Sequence, residues 1–238
     1  MDKNLKTAIV LGGTGAVGRN LIEALANLPT FGSVLAVTRK TEAWRFEKVK
    51  NIVVAEDFNN LEDTIDTFMR NNPIAGKLIG FSTLGIGAGT GFMSIEQHRS
   101  IDVELNQAFA MILKKTNQVE HFVFMSAVGA DPNSWDWGFG GAGFPRYNRV
   151  KGESEDALRQ VNFQSLSIFR PGMIIGIPNT PWIVEKTIPL FSFVTPSNFL
   201  SIKVQDLAMA MALRGEEEVL EKEKIFFFPD MMKFLKAS

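Results

Sequence analysis

The chain has 238 residues, 45% of them hydrophobic, and a formal net charge of −1. This length and apolar content suffice for one large folded domain, and the near-neutral charge without a long basic run argues against a nucleic-acid partner. With no cysteine and only His98 and His121 as imidazoles, we expect neither a disulfide framework nor a bound metal. The sequence shows no signal-peptide pattern and no apolar run near 18 residues, so we expect a cytoplasmic protein with no membrane partner.

Short apolar runs alternate with longer amphipathic segments along most of the chain. The short runs are rich in β-branched and aromatic residues and have the length of strands. Nearly continuous apolar strands separated by helices indicate a parallel sheet buried on both faces. The sequence therefore predicts an α/β, Rossmann-type doubly wound sheet. The predicted strands cover 7–13, 33–39, 51–56, 77–83, 121–126 and 165–171, and the predicted helices cover 16–27, 61–70, 94–117 and 146–160.

The pattern changes in the C-terminal quarter of the chain. A proline-rich stretch at 176–199 is followed by a helix-like run at 201–215, a charged run at 216–224 and a short apolar run at 225–235. We interpret this region as a small lobe folded against the sheet. The expected organisation is a dinucleotide-binding domain at 1–170 and a substrate lobe at 171–238, interleaved in one structural unit.

The first predicted strand leads into a glycine-rich stretch, LGGTGAVGRNL, that opens the first predicted helix. Gly13, Gly15 and Gly18 satisfy the pattern G-x-G-x-x-G, and Gly12 with the last two satisfies G-x-x-G-x-x-G. Glycines permit a tight turn and a close approach of the backbone to a pyrophosphate, which the helix N-terminus attracts. We predict a dinucleotide site formed by Gly12, Gly13, Thr14, Gly15, Ala16, Val17 and Gly18.

The end of the second predicted strand indicates which dinucleotide is bound. NAD sites usually place an acidic residue there for the ribose 2′-hydroxyl, whereas a basic residue accommodates a 2′-phosphate. This sequence has Thr38, Arg39 and Lys40. Their charge favours NADP(H) over NAD(H), and a solvated basic loop is the alternative interpretation.

The chain has one tyrosine against twenty phenylalanines, and that tyrosine, Tyr147, stands four residues before Lys151. Residues four apart on a helix share a face, so the ammonium can favour the phenolate form of the phenol. Ser126 ends the fifth predicted strand, at the sheet edge where such folds bind ligands. A positioned phenol can exchange a proton with a carbonyl or alcohol oxygen, although a tyrosine followed by a lysine at this spacing also arises by chance.

Together these stretches resemble the short-chain dehydrogenase/reductase superfamily, in its atypical or extended branch, and are similar to the Tat-interacting-protein-like oxidoreductases. The resemblance covers most of residues 7–177. It rests on VLGGTGAVGRNLIEAL, VTRK, FSTLG, HFVFMSAVGAD, YNRVKGESE and IFRPGMIIG.

The resemblance implies a Rossmann sheet with a small C-terminal substrate lobe, and a catalytic set of Ser126, Tyr147 and Lys151. Asp102 stands where many members carry an asparagine that completes a proton relay, which puts the relay in doubt. Lys151 is also implied to bind the cofactor. The further cofactor residues that the resemblance implies are Asp57 and Phe58 at the adenine, Ser82, Thr83, Leu84 and Gly85 in the loop after the fourth strand, and Pro171, Gly172 and Met173.

The expected function is that of an NADP(H)-dependent oxidoreductase acting on a small carbonyl or alcohol substrate, as a monomer or homodimer. Two alternatives stay open: a regulatory sensor that binds NADP(H) without turnover, and an epimerase or lyase that holds NAD as a recycled cofactor. The basic residues after the second strand count against the latter.

Several residues near these motifs have simpler interpretations. The glycine- and tryptophan-rich segment at 129–146 is either a lid over the site or a packing element. The acidic residues after Lys151, namely Glu153, Glu155 and Asp156, are expected on a solvated face. His98 and His121 are expected to be structural.

Overall fold

A computed structural model describes residues 5–74, 76–87, 93–116, 118–135, 145–177, 196–218 and 221–237. Its strands are β1 (Lys6–Leu11), β2 (Phe31–Thr38), β3 (Val49–Val53), β4 (Leu78–Ser82), β5 (Val119–Met125), β6 (Ser165–Phe169), β7 (Ile174–Ile175), β8 (Ile202–Lys203) and β9 (Glu223–Phe226). Seven strands form one parallel sheet in the order β3-β2-β1-β4-β5-β6-β9, and β7 pairs with β8. The prediction of a doubly wound α/β fold is confirmed.

The helices fall close to their predicted positions. They are α1 (Ala16–Asn27), α2 (Leu61–Asn71), α3 (Ile95–Arg99), α4 (Leu105–Lys115), α5 (Pro145–Val161), α6 (Val204–Glu216) and α7 (Phe228–Ala237), with a 3₁₀ turn at Ser197–Phe199. The helix predicted at 94–117 begins with a capping box between Ser94 and Gln97 and is interrupted by a π-helical turn at Ser100–Glu104. Such a turn widens the helix locally and is frequent at functional sites.

The sheet is buried on both faces because alternate residues of each strand point to opposite sides. In β1, Ala8 and Val10 join a core with α1 and α6, whereas Ile9 and Leu11 join a second core with α2, α4 and α5. Both cores are aliphatic and aromatic, which explains why the strands read as continuous apolar runs. None of the described helices is both long and apolar enough to span a membrane.

The C-terminal region contributes directly to the main sheet. β9 adds a parallel edge strand beside β6, and α6 packs against α1 over the same face of the sheet. At Gly215 an added Cβ would lie 2.5 Å from the Phe81 ring, so glycine permits this close contact. The described part of 171–238 therefore shares a core with 1–170, and the boundary between a cofactor domain and a substrate lobe stays a prediction.

The strand order reverses between β1 and β4, which creates a crevice at the carboxyl ends of these strands. Open α/β sheets bind their ligands at such a switch point. β1 leads into the glycine-rich turn, and β4 leads into the loop that begins at Thr83. The fold thus brings two predicted cofactor-binding stretches to the same place.

Candidate active site

The glycine-rich turn is held in a shape that only glycine permits. Gly12 has φ +81°, and an added Cβ would lie 2.7 Å from the Leu84 backbone nitrogen. Gly15 donates its N–H to the Gly12 carbonyl at 3.0 Å, and a Cβ on Gly18 would collide with that carbonyl. The turn therefore packs tightly against the loop after β4 and leaves its outer backbone open toward the crevice, as a pyrophosphate site requires.

A cavity of about 650 Å³ occupies the crevice. Its walls come from the glycine turn, the end of β2, the loop after β3, the loop after β4 and the start of α4. Eight of the residues predicted to bind the cofactor line it: Gly12, Thr14, Thr38, Arg39, Asp57, Phe58, Leu84 and Gly85. The cavity size and this lining fit a dinucleotide.

The other predicted cofactor residues do not line this cavity. The remaining members of the turn shape it, and the hydroxyl groups of Ser82 and Thr83 bond within the protein, to Asn106 and to the carbonyls of Leu11 and Gly12. Pro171 and Met173 use their carbonyls to hold Val128 and Ile202. The predicted residues outside the cavity lining are Gly13, Gly15, Ala16, Val17, Gly18, Lys40, Ser82, Thr83, Lys151, Pro171, Gly172 and Met173.

Three side chains at the end of β2 differ in their surroundings. The Thr38 hydroxyl is buried and has no hydrogen-bond partner among the described residues, which fits a bond to a bound ligand. Arg39 is exposed on the cavity wall. Lys40 lies 3.6 Å from Glu56, and both of these side chains are largely exposed. Arg39 is therefore better placed than Lys40 to meet a phosphate in the cavity.

The loop after β3 has a strained turn at the cavity wall. Phe58 has φ +60°, a conformation that non-glycine residues adopt at a cost. The carboxylate of Asp57 accepts hydrogen bonds from the backbone nitrogen of Asn59 at 3.3 Å and from its side-chain amide at 2.9 Å. This turn presents Asp57 and Phe58 side by side, as expected for residues that contact an adenine.

Helix α5 places Tyr147 and Lys151 on one buried face. Lys151 Nζ lies 2.6 Å from Asp102 Oδ1, and the two side chains are 2% and 0% exposed. Gly85 covers this ion pair, because an added Cβ there would lie 2.7 Å from Lys151 Nζ and 3.0 Å from Asp102 Oδ1. Since Gly85 also lines the cavity, the ion pair stands directly behind the cavity wall.

The charges around Tyr147 act in opposite directions. Burial raises the pKa of the phenol above its ordinary value, Lys151 partly lowers it, and Asp102 raises it again. Burial alone would lower the pKa of the Lys151 ammonium, but Asp102 and Tyr147 raise it on balance. The expectation that Lys151 favours the phenolate is right for that one interaction, but burial outweighs it. Tyr147 is therefore a neutral phenol at physiological pH.

His98 adjoins this group from α3. Its ring stacks on Tyr147 with a centroid distance of 5.9 Å, and its Nε2 lies 3.6 Å from Asp102 Oδ2. The ring is fully buried, and burial lowers the pKa of His98 more than Asp102 raises it. A neutral imidazole thus packs beside the phenol, so this residue is close to the site although the sequence indicated only a structural role.

The backbone around Asp102 is fixed by a polar network. Its carbonyl accepts hydrogen bonds from Asn106 Nδ2 at 2.8 Å and from Ser154 Oγ at 2.6 Å. Its Oδ2 accepts from the Ile86 backbone nitrogen at 3.1 Å. The π-helical turn thereby presents Asp102 to both α5 and the loop after β4.

Ser126, the third predicted catalytic residue, bonds to a different acid. Its hydroxyl donates to Glu155 Oε1 at 2.5 Å, and Glu155 also accepts two bonds from Arg170 at 2.8 and 2.6 Å. Arg159 adds a second cation at 3.2 Å. Glu155 is 0% exposed, so its expected place on a solvated face is wrong. A buried carboxylate requires such pairing, and it fixes the orientation of the Ser126 hydroxyl.

Sequence reasoning missed Glu155 and Arg170. The signal was present, because Glu155 follows Lys151 by four residues and so continues the face that carries Tyr147. The other acidic residues differ: Asp156 is half-exposed, and Glu153 is partly buried against Arg99. Among the described residues, no group of three or more His, Asp or Glu side chains is arranged to hold a metal ion.

The segment at 129–146 is described in part. Gly129 has φ +82°, and the Asp131 backbone nitrogen donates to the Asn148 carbonyl at 3.0 Å. Trp135 is 66% exposed. Residues 136–144, with Trp137, Phe139 and Phe144, lie outside the described residues, so the choice between a lid and a packing element stays open.

The fold and the crevice define a dinucleotide-binding protein of the Rossmann class. A family model described as NAD(P)H-binding matches residues 12–212. The chain belongs to this family and is an atypical short-chain dehydrogenase/reductase, which confirms the resemblance found in the sequence.

Two curated relatives illustrate the similarity. The chain is 29% identical over 214 residues to Protein FMP52-2, mitochondrial, of Scheffersomyces stipitis, a match that covers 88% of this chain and 82% of that protein. It is 27% identical over 175 residues to Protein HTATIP2 of Rattus norvegicus, covering 71% of this chain and 63% of that protein.

Solved structures show the same fold at low identity. The crystal structure of gox2181 matches with a TM-score of 0.68 and 15% identity over 96% of each chain. The UDP-N-acetylglucosamine 4-epimerase from Bacillus cereus matches with a TM-score of 0.62 and 14% identity, over 94% of this chain and 79% of that one. Both likenesses concern the fold alone.

Proposed function

We propose that this protein is an NADP(H)-dependent oxidoreductase that interconverts a small carbonyl compound and its alcohol. One observation carries the proposal: the only tyrosine of the chain is buried on the same helix face as Lys151, whose ammonium lies directly behind Gly85 of the cavity wall. A structural role for the ring would be served equally by phenylalanine, which this chain uses twenty times.

The residues divide the chemistry among themselves. A bound nicotinamide supplies or accepts the hydride, and Tyr147 gives the carbonyl oxygen a proton or takes one from the alcohol. Lys151 has three N–H groups and uses one on Asp102, so it retains donors for a ribose hydroxyl. Ser126 directs its hydrogen to Glu155, so its oxygen offers lone pairs to a protonated substrate oxygen, and donation to a carbonyl requires the hydroxyl to rotate.

The choice of NADP(H) rests on Arg39. This side chain lines the cavity at the end of β2, where a guanidinium can bind a 2′-phosphate through two N–H groups. Thr38, whose hydroxyl lacks a partner in the described part of the chain, offers a further donor beside it. No acidic residue stands at the end of β2, where NAD sites usually have one.

Two other functions are weaker candidates. A sensor that binds NADP(H) without turnover has no use for a buried phenol beside an ammonium. An epimerase or lyase that holds NAD as a recycled cofactor is disfavoured by the basic side chain of Arg39 on the cavity wall, and the epimerase structures of similar fold carry no information on substrate.

The decisive experiment is a screen of aldehydes and ketones for consumption of NADPH by the purified protein, in parallel with calorimetric titration of NADPH and NADH. We expect tighter binding of NADPH and turnover of at least one carbonyl class. Equal affinity for both cofactors would refute the cofactor assignment, and tight binding without turnover would favour the sensor.

The cellular location and the oligomeric state of the protein are proposed on fewer observations. We keep a cytoplasmic location and a monomer or homodimer as proposals, and the word "mitochondrial" in the names of fungal relatives makes cell fractionation the relevant test.

A further inference from the structure

Four ionisable side chains meet behind the cavity wall, and they come from three parts of the fold. α3 supplies His98, the π-helical turn supplies Asp102, and α5 supplies Tyr147 and Lys151. All four are buried, with Tyr147 the most accessible at 7%. Because they exclude water, their charges act on one another with little screening.

The central contact is the one between Asp102 and Lys151. Their charged atoms are 2.6 Å apart, so the negative charge of Asp102 offsets part of the effect that the positive charge of Lys151 has on the phenol. The ammonium also lies 5.9 Å from the centre of the Tyr147 ring. A lone ammonium at that distance would stabilise a phenolate, whereas an ammonium paired with a carboxylate does so less strongly.

We propose that Asp102 acts through Lys151 as a positioning residue that keeps Tyr147 protonated, so that the site is set for carbonyl reduction rather than alcohol oxidation. The consequence for the direction of catalysis rests on the proposed function. The effect of Asp102 on the ionisation of Tyr147 depends only on the residues of this chain. Tyr147 is then poised to give a proton, while its use as a base requires alkaline pH.

In the reductive direction, a hydride supplied by a bound nicotinamide cofactor would add to the carbonyl carbon, and the carbon–oxygen π electrons would move to oxygen. That oxygen would take the Tyr147 proton to become a hydroxyl. The resulting phenolate regains a proton from water. An oxidation would need the phenolate first, and at pH 7 a phenol of ordinary pKa is ionised in only about one molecule in a thousand.

The other charged groups near the phenol do not reverse this effect. His98 is held neutral by burial. Arg146 and Glu153, which act on His98 with opposite signs, flank it from α5. Glu155 acts on Lys151 from the next turn of α5, but Arg170 and Arg159 already pair with it.

The single tyrosine makes a direct test possible. Tyrosinate has its own near-ultraviolet absorbance, and the four tryptophans do not ionise, so a pH titration of the whole protein reports on Tyr147 alone. A rapid pH jump reads the ionisation before alkaline unfolding begins. The measurement requires neither cofactor nor substrate, so its result is independent of whether the proposed enzymatic function is correct.

We expect the midpoint of the unmodified protein to lie above the ordinary value of about 10, and Asp102→Asn to lower it by about one to two pH units. Asp102→Glu, which retains the charge, should keep it near the unmodified value. Asp63→Asn, the same change at an exposed position of α2, is the matched control, and Tyr147→Phe gives the blank.

An unmodified midpoint below the ordinary value would overturn the proposal even if no Asp102 variant folds. So would an unchanged or raised midpoint in Asp102→Asn. A lowered midpoint in a protein that reduces no carbonyl would support the electrostatic role of Asp102 and count against the proposed enzyme.

Discussion

Lys151 and Asp102 form an ion pair 2.6 Å long that is buried from solvent on both sides. Removing one partner of such a pair leaves a buried charge without compensation, which costs about 3–5 kcal/mol of folding stability. We expect Lys151→Met and Asp102→Asn each to lower the free energy of unfolding, and the double variant to lower it by less than the sum. Urea denaturation of all four proteins measures the coupling, and additive losses would contradict a direct pair.

Replacing Tyr147 by phenylalanine retains the ring that stacks on His98 and removes only the hydroxyl. Folding and NADPH affinity should survive, while kcat should fall by about 10² to 10⁴, the usual contribution of a positioned general acid. Lys151→Met should weaken NADPH binding as well as turnover, because we propose that the ammonium also binds the nicotinamide ribose. Steady-state kinetics with calorimetry separate the two signatures. A Tyr147→Phe protein of unmodified activity would remove the phenol from the mechanism.

Arg39→Asp should narrow or reverse the preference for NADPH over NADH. A charge-assisted bond to a 2′-phosphate is worth about 1.5–3 kcal/mol, so NADPH affinity should fall about 10- to 100-fold while NADH affinity changes little. Arg70→Asp, an equal charge reversal on α2 away from the cavity lining, is the control. If both variants weaken NADPH binding equally, the effect is one of net charge and the assignment of Arg39 fails.

Glu155→Gln should destabilise the fold far more than Asp156→Asn on the next residue of α5. Glu155 is fully buried between Ser126 and Arg170, so loss of its charge should cost on the order of 3 kcal/mol. Asp156 pairs with Arg159 at the surface, and its loss should cost less than about 1 kcal/mol. Thermal or urea unfolding decides the comparison. Equal losses would mean that the Glu155 network contributes no more than a surface pair.

His121 should make folding stability depend on pH on the acidic side. Burial, with Arg214 and Lys6 nearby, lowers the pKa of His121 to about 3, against about 6.5 in an unfolded chain. Between these two pH values the imidazole is protonated in the unfolded state but not in the folded state. The free energy of unfolding therefore has its full value above about pH 6.5 and declines as the pH falls toward 3. The expected loss is about 2 kcal/mol at pH 5.

The pH effect of His121 is separated from that of the carboxylates by a variant. His121→Gln retains a polar group for the Ser167 hydroxyl, which lies 2.9 Å from the imidazole. The difference in unfolding free energy between the unmodified protein and this variant should shrink from pH 7 to pH 5. A difference that is constant over this range would show that His121 does not titrate on unfolding.

Local patterns in the sequence determined the parts of this protein that depend on neighbouring residues. The alternation of strands and helices, the glycine turn and the shared face of Tyr147 and Lys151 all follow from backbone periodicity and steric needs, and the structure has them where the sequence predicts them. The β2 end was recognisable in the same way, because Arg39 stands at a fixed distance from the glycine turn.

Only the tertiary structure decided how the charged residues are partnered. An acidic residue on a helix has the same local pattern whether it faces water or a neighbouring element, so Glu155 was expected in solvent and instead meets Arg170 of a strand end. Asp102 reaches Lys151 because a π-helical turn and the packing of α5 bring distant residues together. Burial then sets the strength of these ion pairs, since the interaction between two charges depends on how much water the rest of the fold excludes.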